Sequence, residues 1–197
     1  MNLTPILADD GDEGALPQSM IAKFLEARTI LIFGGIDQKL AERVSAQMLY
    51  LDHLSDAPIK IILNSPGGHV ESGETSHALI SYVRSPVAVI GTGWVASAGT
   101  HIFLGAAKER RFCWPNTRFL IHQPSGGAGG RASDIEIQAH EIVKMRERLA
   151  QVISKATGQD VERVRQDIDR DYWMTTDEAK AYGILGKVIS KASEVKF

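Results

Sequence analysis

The chain has 197 residues, 44% hydrophobic and 23% charged, with 22 basic against 24 acidic side chains and a net charge of −2. That length can bury a full core, and the near balance of charge gives no electrostatic case for nucleic acid or an anionic membrane. The single cysteine, Cys113, excludes an internal disulfide and fits a reducing compartment, so a cytoplasmic location is expected.

The first residues, MNLTPILADDGDEG, have neither the basic nor the apolar region of a signal peptide, and no apolar run approaches a membrane span. Residues 1–17, with Asp9, Asp10, Asp12 and Glu13 among glycines, are expected to form a flexible acidic segment before one domain over 18–197. Ser19 is expected to cap a short helix through Glu26. Thr29 to Phe33 is apolar and β-branched, a strand covered on both faces. After Gly34 and Gly35, Asp37 caps a helix whose apolar residues Leu40, Val44, Met48 and Leu51 share one face, ending near Ser55. A strand over Ile59–Leu63 is expected to break at "NSPGG", residues 64–68, followed by a helix over about Ser72–Val83.

The strand Val87–Gly91 runs into small residues around Ser97, and a helix is expected from Ser97 to Ala107. Arg111–Trp114 and Arg118–Ile121 read as short strands, the second ended by His122-Gln123-Pro124. Gly126 to Gly130 interrupts the chain before Ser133 and Glu136, the capping-box pair of a long helix to about Lys155. Thr176 is expected to cap a helix closed by Gly183, and Gly186–Ile189 reads as a last strand. Alternation of strand and helix makes the class α/β.

Ser97 has two readings. A serine at a helix start is ordinarily a cap, yet its small neighbours Ala96, Ala98 and Gly99 leave room for a carbonyl to approach the backbone. The stretch is not a G-x-S-x-G elbow, because Val95 stands at the first glycine position. A nucleophilic serine needs a base, an orienter and oxyanion donors. His122, at a strand end, is either a structural hydrogen-bonding residue or that base. Gly68 offers either a bare N–H or merely a turn. Glu136 and His140 fit an exposed helix face. His53, His69, His77 and His101 have no metal spacing with the lone cysteine, and no phosphate-binding loop occurs. No metal or cofactor is expected.

The ordered motifs "NSPGG", "GWVASAG", "RFCWPNTRFLIHQPSGG", "DIEIQAHEI" and "DIDRDYWMTTDEAKAYGILGKV" resemble the proteolytic subunits of the Clp, or caseinolytic, proteases over about residues 28–190. The resemblance implies a crotonase-like α/β spiral of repeated β-β-α units and a serine endopeptidase with the triad Ser97, His122 and Asp171. It further implies an oxyanion hole from Gly68 and Ala98, and a peptide held along Gly67, His69, Val70, Ser125, Gly126 and Gly127. Two stacked seven-membered rings are expected, joined by a handle at about 125–157, with Asp169 and Arg170 as a ring-contact charge pair. Unfolded protein would be supplied by a Clp-type AAA+ ATPase unfoldase. Asp171 is chosen over Asp167 and Asp169 by the resemblance alone.

Two departures concern partners. Lys60 and Ile62 stand where well-known members carry docking tyrosines, and the acidic N-terminus lacks the family's usual arginine- and aromatic-containing run. Ala98 replaces a common methionine. Alternatives are a catalytically silent or partner-dependent ring subunit that works with a second paralogue, and a crotonase-type acyl-CoA hydratase or isomerase.

Overall fold

The computed structural model describes residues 16–127 and 129–197, so the segment expected over 1–17 lies almost wholly outside the described residues. In chain order the elements are α1 (Gln18–Glu26), β1 (Thr29–Phe33), α2 (Gln38–Leu54), β2 (Ile59–Ser65), α3 (Val70–Tyr82), β3 (Val87–Ala96) and α4 (Ala98–Leu104). There follow β4 (Arg111–Cys113), β5 (Arg118–Ile121), α5 (Ala132–Thr157), α6 (Val161–Asp167), β6 (Tyr172–Met174), α7 (Thr176–Tyr182) and β7 (Lys187–Val188). The class is α/β, as the sequence implies. Strands β1, β2, β3, β4 and β7 lie side by side in parallel.

β3 organises the sheet by changing partners along its length. Val89–Gly91 pair with β4, whereas Trp94–Ala96 pair with β5, and β6 adds to β5 as the antiparallel member. The switch occurs at glycines. Gly93 has φ +61, and a side chain on Gly91 would meet Val95 Cγ2 at 2.7 Å. The same irregularity shifts the β2–β3 register between Leu63 and Ser65.

Apolar periodicity explains the packing. Ile59, Ile61 and Leu63 alternate inward along β2, and Leu40, Val44, Met48 and Leu51 form the buried face of α2. They join Ile102 and Phe103 of α4, Phe119 and Ile121 of β5, and Ala150 and Ile153 of α5 in one core. Burying such a side chain contributes about 1.5–3 kcal/mol. Inside this core, Arg111 is only 4% exposed. Its guanidinium donates to the carbonyls of Leu104, Ala106 and Ala156, and more distantly to Gly183 and Ile184. A buried cation thereby serves the negative C-terminal ends of α4, α5 and α7. Burial lowers its pKa to about 10, which leaves it charged at neutral pH.

Several boundaries differ from expectation, each for a local reason. Pro17, not Ser19, precedes α1, because proline needs no N–H partner there and sets the entry φ. α3 starts at Val70, two residues early. α4 is Ala98–Leu104, shorter than the expected 97–107, because the chain leaves the helix at Gly105. α5 starts at Ala132 after Arg131 with no side-chain cap, so Ser133 and Glu136 do not form the expected capping box. Thr175 rather than Thr176 caps α7, accepting from the Glu178 N–H while Glu178 accepts from the Thr175 N–H. β2 continues through Asn64 and Ser65 instead of stopping at Leu63, held by pairing to β1 and β3. No described helix is long and apolar enough to cross a membrane.

Candidate active site

Strand register brings the three expected triad residues together. β3 pairs with β5 up to Ala96 opposite Leu120, so Ser97 emerges beside the end of β5. β5 pairs with β6 through Ile121 opposite Tyr172, so one further step sets His122 opposite Asp171. His122 Nε2 lies 2.7 Å from Ser97 Oγ, and His122 Nδ1 lies 2.9 Å from Asp171 Oδ1. This register sets Asp171, and neither Asp167 nor Asp169, against His122. Asp167 instead accepts from Tyr182, and Asp169 accepts from Arg146 at 3.2 Å.

Ser97 occupies the N-cap position of α4 but makes no side-chain cap bond. Its backbone has φ 56 and ψ −120, a conformation that costs a non-glycine residue on the order of 1–3 kcal/mol. Two bonds hold it: the Ser97 N–H donates to Leu120 O, and the His101 N–H donates to Ser97 O. Gly67 packs directly beneath. A Cβ there would lie 2.6 Å from Ser97 Cβ, which explains a glycine with φ +101 at a buried position. Sharp geometry at a strand-to-helix turn thus exists without the elbow motif.

The N–H groups of Gly68 and Ala98 donate to no acceptor among the described residues. Gly68 itself is pinned by its bridge to Ile36, with φ +150 and no room for a side chain against Ile36 O. The arrangement offers a serine hydroxyl, an imidazole acceptor, a carboxylate on the far imidazole nitrogen and two unspent N–H donors. Such a set can attack a carbonyl and stabilise the oxyanion that results.

Of the residues expected to hold a peptide, His69, Val70, Ser125, Gly126 and Gly127 line one groove of about 360 Å³, together with Gly68. Gly67 does not, being buried against Ser97. Asp169 is already engaged within the chain, while Arg170 has no ion-pair partner among the described residues. No group of His, Cys, Asp and Glu suited to a metal occurs among the described residues.

One cluster escaped the sequence reading. His101, 4% exposed, places Nε2 2.5 Å from Glu74 Oε2, and His77 stacks on it at 4.5 Å between ring centroids. The bond from His101 is the main reason that the Glu74 carboxyl titrates below its ordinary range. Burial pushes the His77 pKa down. The available signal was spacing: Ser97 and His101, like Val70 and Glu74, are four apart on a helix face.

Comparison with known proteins gives a consistent result. Residues 12–192 match the Clp protease family. The ATP-dependent Clp protease proteolytic subunit 3 of Rhizobium meliloti is 53% identical over 88% of this chain and 89% of its own length. The ATP-dependent Clp protease proteolytic subunit 2 of Pseudomonas aeruginosa is 45% identical over 95% of this chain and 94% of its own. Among solved structures, ClpP1 from Listeria monocytogenes superimposes with a TM-score of 0.81 at 47% identity, covering 90% of this chain and 99% of that one. The chain belongs to the Clp protease family of serine peptidases, as a proteolytic subunit.

Proposed function

We propose that this subunit cleaves peptide bonds of unfolded proteins by acyl transfer through Ser97, His122 and Asp171. The observation that carries the reading is the continuous chain of 2.7 Å and 2.9 Å contacts from Ser97 Oγ through the imidazole to Asp171. His122 takes the Ser97 proton as Oγ attacks the carbonyl, and Asp171 fixes the tautomer and stabilises the imidazolium. The Gly68 and Ala98 N–H groups receive the oxyanion. His122 then protonates the leaving amine, and water hydrolyses the acyl-enzyme with His122 again as base. Peptide pairs as an added strand along Gly68–Val70 and Ser125–Gly127, which favours loose sequence specificity.

The subunit works in a self-compartmentalised chamber of two stacked heptameric rings. Support comes from α5, whose buried residues begin only at Leu149 while Ile135, Ile137 and Val143 stand exposed. The first part of that helix has an apolar surface that the described residues do not cover, as a ring-joining handle over 125–157 requires. Arg170 is available to pair with a neighbouring copy. Substrate enters from a Clp-type AAA+ unfoldase. The acyl-CoA alternative has nothing in the comparisons to favour it. A paralogue-dependent ring does, because relatives are named proteolytic subunit 2 or 3.

Intact-mass labelling with a serine-reactive fluorophosphonate tests the reading. One label per chain is expected, absent in Ser97→Ala and strongly slowed in His122→Ala and Asp171→Ala. A well-assembled oligomer that takes no label refutes an active site competent in the homomer. Labelling restored by a paralogous subunit would identify the partner-dependent ring.

A further inference from the structure

Beside Ser97 lies a cavity of about 30 Å³, lined by Val70, Ala98, Leu104, Ile121, Leu149 and Ile153 among others. It adjoins the peptide groove, because Val70 and Pro124 line both. On the peptidase reading above, on which this inference rests, the site itself fixes where the substrate backbone lies. The carbonyl carbon meets Ser97 Oγ, its oxygen rests on the Gly68 and Ala98 N–H groups, and the chain runs extended along the groove. The Cα of that residue is one bond from the reacting carbon, so its side chain is the one that meets the space beside Ser97. Its neighbours in an extended chain point to the opposite face.

Volume then decides what enters. An aliphatic cavity of about 150 Å³ accepts benzene, and one water molecule takes up about 30 Å³ of liquid. The space beside Ser97 therefore holds a methyl group and little more. Its walls are not loose. Leu104, Ile121 and Ile153 belong to the main core, and Leu149 is only 8% exposed. The His101 ring, also part of the lining, is bonded to Glu74 at 2.5 Å and stacked on His77. A packed interior of this kind resists added methylenes instead of absorbing them. Two of the walls come from α5, where Leu149 and Ile153 are four apart and share one helix face.

We propose that this cavity restricts cleavage to bonds that follow a short side chain, that of glycine, alanine or serine, and that Leu149 and Ile153 are the residues that set the limit. Leucine, with four side-chain carbons where one fits, is refused although the lining is apolar. Size, and not polarity, is what the pocket reads.

The test uses the assembled oligomer and two peptidyl-aminomethylcoumarins identical except for alanine or leucine at the residue whose carbonyl is cleaved. The ratio of their kcat/KM values is internal to each preparation, so it is unaffected by loss of folded or assembled protein. The wild-type ratio is expected to favour alanine about tenfold or more, the scale of overfilling a packed interior. Leu149→Ala, which removes three carbons from the wall, should bring the ratio to about one or below, and Ile153→Val, which removes one, should lower it less. A wild-type ratio of one or less overturns the proposal even if neither variant folds. A ratio unchanged in both variants, with thermal melts showing both folded, also overturns it, because the side chain then lies elsewhere. Fluorophosphonate labelling on the same samples separates the two levels of failure. Labelled protein that cleaves the leucine peptide as well as the alanine peptide refutes only the size limit, whereas protein that neither labels nor cleaves refutes the peptidase reading beneath it.

Discussion

Replacing Gly67 with alanine probes how tightly Ser97, the proposed nucleophile, is held. The new Cβ would sit 2.6 Å from Ser97 Cβ, 2.9 Å from Ala96 O and 3.1 Å from Ser97 Oγ. Carbon atoms pack at about 3.5–4.0 Å, so Ser97 must retreat by roughly 1 Å. It cannot do so freely, because its N–H and carbonyl are both bonded, at 2.9 and 3.1 Å. Overpacking costs about 1–3 kcal/mol, and a side chain at φ +101 adds about 1–2 kcal/mol. The sum is about 2–5 kcal/mol, or a Tm lower by roughly 4–20 °C for a chain of this size. Moving Oγ by about 1 Å also breaks its contact with His122, at a cost on the order of 100-fold in labelling rate. Gly158→Ala is the control: its φ is +80, but nothing lies within 4 Å of the added Cβ. It should lose about 1 kcal/mol and label normally. Thermal melts with fluorophosphonate kinetics on both variants decide the matter. Gly67→Ala labelled at the wild-type rate would refute the claim that the turn is held to within an ångström.

Arg111→Met should lower the urea midpoint by the equivalent of about 3 kcal/mol or more, because carbonyls at three helix ends lose their buried donor; a loss under about 1 kcal/mol would mean water substitutes fully. Cys113 is fully buried, and burial pushes its thiol up to about 11, opposed in part by Thr117. It should resist iodoacetamide at pH 8 until guanidinium is added, and ready alkylation of native protein would contradict that burial. Since the folded state favours the neutral thiol, Cys113 costs no stability below its unfolded pKa of about 8.5 and costs progressively more as pH rises toward 11. Asp37→Ala removes the 2.8 Å cap bond to the Leu40 N–H and should lower stability by about 1 kcal/mol in the same urea assay.

Sequence periodicity carries most of the fold where local pattern and burial agree. β1 and β5 fall where their apolar runs place them, and Asp37 caps α2 as its position dictates. β6 is invisible because Tyr172-Trp173-Met174 is too short to show a period and sits between Asp171 and a pair of threonines. The full length of β3 was hidden by Gly91 and Gly93, which read as a strand's end but mark its change of neighbour. At the site, Ser97 and His122 stand out by position and type. Asp171 does not: among three aspartates, only the antiparallel register between segments some fifty residues apart distinguishes it. For His101 and Glu74 the four-residue spacing marks a face on each helix, but the contact that pairs the two faces lies between helices and is written in neither one.

The unusual backbone of Ser97 sets activity against durability. In φ 56, ψ −120 a glycine rests without penalty, so Ser97→Gly should raise the unfolding free energy by about 1 kcal/mol while abolishing labelling. Selection for robustness alone would erase this hydroxyl. Its presence records a demand that folding did not impose, and a chain freed from that demand could drift to a sturdier, inert form with its strands and helices intact.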